Sequence, residues 1–129
     1  MILNLLTLSN FAYILPFVLA IEQGFKLHSI PYLLLFIASS IYHNDCETSK
    51  YRIYDQICAW GIIITNSIVI FLIYKKKLIN VIISIILALL GFYIYLNYGK
   101  IEKKMEYNYE ELHSLWHLIS GIGSAILYC

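Results

Sequence analysis

LINVIISIILALLGFYIYLNYG, Leu78–Gly99, runs for 22 residues without one Asp, Glu, Lys or Arg. At 1.5 Å per residue such a helix crosses a hydrocarbon core of roughly 30 Å. Four further charge-free runs exist: residues 1–21, 27–44, 56–74 and 112–129. Each is about 18–22 residues long, close to the roughly 20 needed for a span. A chain of 129 residues that is 60% hydrophobic and 13% charged cannot hide that much apolar surface from water in a soluble fold. The expectation is an all-α integral membrane bundle of about five transmembrane helices in one domain, over residues 2–21, 27–44, 55–74, 78–99 and 110–128.

The connections support this division. Pro16 allows a kink in the first span, and Pro31 suits the first turn of the second. "KKK" (Lys75–Lys77) makes a tight turn between the third and fourth. Asn108, with Glu111 three residues on, resembles an N-capping box opening the fifth. Tyr42, Tyr51, Tyr54, Tyr74, Tyr98, Tyr107, Tyr109 and Tyr128 fall at span boundaries, as interfacial tyrosines do. Ser120, Gly121, Gly123 and Ser124 would let the fifth span pack closely on a neighbour. The first span lacks the basic start and small-residue cleavage site of a signal peptide. A net charge of +1 gives no reason to expect a nucleic-acid partner. Three cysteines do not make a disulfide framework. Lysines and arginines divide five to four between the two sides, so orientation is open.

The polar residues inside the spans share one depth. The second span climbs towards the side of the N-terminus, so "SSIYHND" (Ser39–Asp45) lies near that side. The third descends from it with Asp55 at its start, and the fifth descends from it through "ELHSLWHLIS" (Glu111–Ser120). Ser39 and His43 are four residues apart, as are His113 and His117, so each pair shares a helix face. His43, His113 and His117 converging from two helices would form a three-histidine site with an open fourth position, the pattern of catalytic zinc. Bound zinc would explain histidine at this depth, because ionisable groups within a membrane are costly and usually functional. Structural readings stand beside this one. The His113 and His117 pair could face headgroups, and His43 could cap its helix. Asp55 could complement a helix dipole, and Ser39 could pack between helices. Cys46, three residues after His43, could compete as a soft ligand.

Ser39-x3-His43, then Asp55, then His113-x3-His117 resembles the CREST superfamily. That group includes the alkaline ceramidases, the progestin and adiponectin receptors and the Per-type GPI-lipid remodelling proteins. "SSIYHNDC" and "NYEELHSLWHLISGIGSAIL" look most like the branch containing myomaker and the GPI-specific phospholipase. The resemblance implies a truncated version of a seven-helix fold, with one helix instead of three between the Asp55 and His113 helices. It implies a zinc-dependent lipid amidase or esterase: Zn²⁺ on His43, His113 and His117, Asp55 as general base, and Ser39 steadying the oxyanion or Asp55. Substrates would be membrane lipids such as a ceramide, a phospholipid or a GPI lipid. Two other functions fit the sequence: a zinc-stapled scaffold or fusion-type protein without catalysis, and a minor structural membrane protein without metal. Five helices with an open flank also make a homo-oligomer plausible.

Overall fold

The computed structural model describes residues 4–44, 49–100 and 108–129. These fold into five helical rods, with no strand among the described residues. The first rod is broken: α1 (Leu5–Ser9), a 3₁₀ segment (Asn10–Tyr13) and α2 (Ile14–Glu22). Pro16 explains the break. It has no N–H to donate to the Ala12 carbonyl, and the turn before it tightens. Then follow α3 (Lys26–Asn44), α4 (Ser49–Ile73), α5 (Leu78–Ile94) with a π-helical tail over Tyr95–Gly99, and α6 (Tyr109–Ile126).

Local chemistry sets the turns. Gly24 takes φ +85° after α2; its N–H bonds the Ile21 carbonyl at 3.1 Å, and Phe25 N–H bonds Ala20 at 2.8 Å. That is a Schellman ending, which needs a left-handed residue at this position. At the far end of α6, Lys77 Nζ and Asn80 Nδ2 donate to the carbonyls of Cys129 and Ile126 at 2.7 and 3.0 Å. The Ile126 carbonyl also accepts Cys129 N–H at 3.2 Å, while the Cys129 carbonyl lies past the last helical turn, where backbone acceptors need such outside donors. Ser84 Oγ donates to Gly123 at 2.7 Å, fastening α5 to α6 further in.

Packing is uneven. The first rod lies against both α3 and α6, and α5 lies along α6. By contrast α4 packs on α3 and meets α5 only marginally, so the bundle is open along that flank. The core gathers Tyr13, Ala20, Tyr32, Leu35, Val69 and Leu127 between the rods. Outward faces are apolar too: Ile57, Trp60, Phe71, Ile79, Leu89 and Tyr93 are all more than 60% exposed. In water such a surface would drive aggregation; against lipid tails it needs no cover.

Several expectations change. Three helical stretches are long and apolar enough to cross a membrane: Leu5–Glu22, Lys50–Ile73 and Leu78–Gly99. The stretches expected at 27–44 and 110–128 are helices, but they carry the serines and histidines of the interior and do not reach that hydropathy. The third helix begins at Ser49, not Asp55, because a helix end tolerates Lys50 and Arg52 where their heads can reach out of the apolar zone. Asn108 makes no capping bond: at φ +74° it is left-handed, whereas a capping side chain needs extended backbone. Tyr42, Tyr109 and Tyr128, expected at the membrane boundary, are buried at 3%, 7% and 1% exposure. Tyr54, Tyr74 and Tyr98 are exposed, as boundary tyrosines should be. Cys46 and Tyr107 lie outside the described residues.

Candidate metal centre

His43 comes from the last turn of α3, and His113 and His117 from the first turns of α6. Hydrogen bonds bring these ends together with the start of the first rod. Asn4 caps α1 by accepting Thr7 N–H at 2.7 Å, and its Nδ2 donates to the His43 carbonyl at 3.3 Å. Glu110 Oε1 accepts Leu5 N–H at 3.0 Å. One end of the bundle is thus tied across α1, α3 and α6, and the three histidines share it.

The imidazoles are packed together. Ring centroids are 4.9 Å apart for His43 and His113, 5.1 Å for His43 and His117, and 4.7 Å for His113 and His117. All three are buried, at 2%, 5% and 1% exposure. Each offers a ring nitrogen, and these nitrogens all lie within 4.8 Å of one another. Three nitrogens bound to one tetrahedral ion at 2.0–2.1 Å would be about 3.3 Å apart. Binding an ion would draw the nitrogens together by up to about 1.5 Å. Imidazole donors suit zinc, copper, iron or nickel, and the hard-oxygen ions poorly. Three clustered, buried imidazoles therefore form a group able to hold a metal ion, and Ser9 and Tyr13 flank it from the first rod. Ser9 Oγ is 2.8 Å from His117 Nδ1, and the Tyr13 ring centroid is 6.0 Å from that of His117.

Beside this cluster lies a cavity of about 510 Å³ between α4, α5 and α6. Its lining combines the polar side chains of Arg52, Asp55, Gln56, Lys100, Tyr109 and His113 with the apolar ones of Ala59, Ile63, Ala88, Phe92 and Ile119. Asp55 and His113 therefore face one space from opposite helices. Asp55 is seven residues into α4, half-buried. It is beyond the first turn, where the helix dipole acts most strongly, so dipole compensation no longer accounts for it. Of the three histidines, His113 alone lines the cavity; His43 and His117 sit behind it. Ser39 is buried at 1% exposure, one turn before His43, and is also outside the cavity lining.

The sequence reading missed Ser9 and Tyr13. In "LTLSNFAYILP" (Leu6–Pro16) a lone serine and a lone tyrosine look like packing residues in an apolar span. Nothing in their spacing points to a histidine 108 positions away. No family model, curated protein or solved structure matches this chain.

Proposed function

We infer that this protein is a multi-pass membrane hydrolase that cleaves an amide or ester bond of a lipid, with Zn²⁺ held by His43, His113 and His117. The observation that carries this reading is the convergence of three buried imidazoles next to a cavity whose opposite wall bears a carboxylate. A zinc ion there supplies Lewis acidity and makes water acidic enough to deprotonate near neutral pH. Asp55 is the general base: it takes the proton from the attacking water and delivers it to the leaving amine or alcohol. Ser39 is buried and outside the cavity lining, so the oxyanion role that the resemblance implies for it is not part of this reading.

The cavity suits an amphiphile. Its volume lies within the usual range for ligand pockets. Arg52 and Lys100 line it for a headgroup, and its apolar side chains take an acyl chain. The open flank between α4 and α5 gives entry sideways from the bilayer. The resemblance to the CREST superfamily, carried by Ser39, His43, Asp55, His113 and His117, points the same way. In that family three helices, not one, join the Asp helix to the His-x3-His helix.

One observation favours a second reading: His43 and His117 lie outside the cavity lining, as expected of an ion that only staples α3 to α6. Replacing Asp55 by Asn separates the two. The hydrolase reading predicts that fatty-acid release from vesicles containing ceramide or diacyl phospholipid falls at least about 100-fold, in line with general-base losses, while bound zinc stays at the wild-type level. Wild-type protein that carries zinc yet releases no fatty acid from either lipid would leave the staple.

A further inference from the structure

Ser9 Oγ makes two hydrogen bonds, and together they decide where a proton sits. One is donated to the Leu6 carbonyl at 2.8 Å; the other joins His117 Nδ1 at 2.8 Å. A serine hydroxyl has a single proton. With that proton committed to Leu6, Ser9 can offer His117 only a lone pair, and the Leu6 carbonyl, itself a partner of His117, is an acceptor too, so the imidazole donates on this side. Nδ1 then carries the hydrogen, and in a neutral ring Nε2 is left with the free lone pair.

We propose that Ser9 is a positioning residue that sets His117 as its Nδ1–H tautomer and presents Nε2 to the metal. This rests on the metal reading above. Metal-bound histidines usually donate their other ring N–H to a fixed acceptor, which orients the ring and raises its basicity. Here the acceptor is a hydroxyl whose own direction is fixed by a backbone carbonyl one turn back. Ser9 and His117 are 6% and 1% exposed, so water does not compete for the bond. The backbone holds the serine still: Ser9 ends α1 where the helix tightens into the 3₁₀ segment, and Asn4 anchors the start of the same rod to α3. The first rod, which supplies no ligand, thereby determines which nitrogen of a ligand is available.

The test uses the full chain in detergent micelles, with two measurements on wild type, Ser9→Ala and Ser9→Thr. The first is ¹⁵N histidine side-chain NMR of metal-free protein, which reports the tautomer. The second is zinc affinity by chelator competition. Wild type should show His117 protonated at Nδ1 alone. Ser9→Ala should lose that preference and bind zinc about 10–100-fold more weakly, and Ser9→Thr, which keeps a hydroxyl, should retain both properties. An Nε2–H tautomer in wild type would overturn the proposal even if Ser9→Ala failed to fold, and so would equal zinc affinity in wild type and Ser9→Ala. Wild type that binds no zinc would instead overturn the metal reading, and the NMR result would still decide whether Ser9 places the proton.

Discussion

Tyr128 stands at the boundary of a charge-free run, yet its ring is 1% exposed. Its hydroxyl is 2.7 Å from that of Tyr32, and Tyr32 donates to Asn66 Oδ1 at 2.5 Å. Tyr32 has one proton, so Tyr128 is the donor to it. Asn66 Nδ2 continues the chain to Ser124 Oγ at 3.0 Å. A tyrosine at a helix end can serve the membrane surface or the interior, because both offer an apolar place for the ring and a partner for the hydroxyl. Only the neighbour decides, and the neighbour is distant in sequence. Replacing Tyr128 by Phe removes one buried bond and leaves the Tyr32–Asn66 bond. Unfolding by denaturant should show a loss of about 0.5–1.5 kcal/mol, with bound metal unchanged. A loss of metal would mean that this chain of hydroxyls and amides supports the histidine end of the bundle. The same distinction limits what sequence tells about the site. The His113-x3-His117 spacing is visible because both residues share one helix face. Ser9 is not, because its role exists only once the first rod lies on α6.

At the scale of helices, Gly121 makes that approach possible. A methyl group there would sit 2.6 Å from Ala12 Cβ and 2.7 Å from the Ala12 carbonyl oxygen. The obstruction is backbone, so no rotamer relieves it. Gly123 is looser: a methyl would meet Leu87 Cβ at 3.3 Å. Gly121→Ala should push the first rod off α6, costing about 1–3 kcal/mol. Metal affinity should fall with it, because Ser9 belongs to the displaced rod. Gly123→Ala should cost less and leave the metal alone. Paired unfolding and metal-binding titrations of the two variants check this; equal effects would contradict it. The cluster of small residues in α6 is legible in the sequence, since lipid-exposed helices approach closely only where side chains are small. Which partner each glycine faces is not. The charge-free runs mark all five helices, because charge is costly in an apolar environment. They miss the start of α4, where Lys50 and Arg52 belong to the helix.

For the molecule as a whole, the arrangement is asymmetric. The first rod, α3 and α6 enclose the histidines on one side, whereas α4 stands off from α5 and leaves the cavity open. The convergence of His43 with His113 and His117 was readable from alternating helix direction: two ends that must lie on one side, each with a histidine at its last or first turns. The cavity was not readable, since it depends on α4 packing on α3 while barely meeting α5. All functional proposals here require one ion in the histidine cluster. Elemental analysis of the purified full-length chain, before and after replacing His113 and His117 together by Ala, tests that directly. The account predicts about one zinc per wild-type chain and none in the double variant, with helical content preserved in both. Wild type without stoichiometric metal, or a double variant that keeps its zinc, would contradict it.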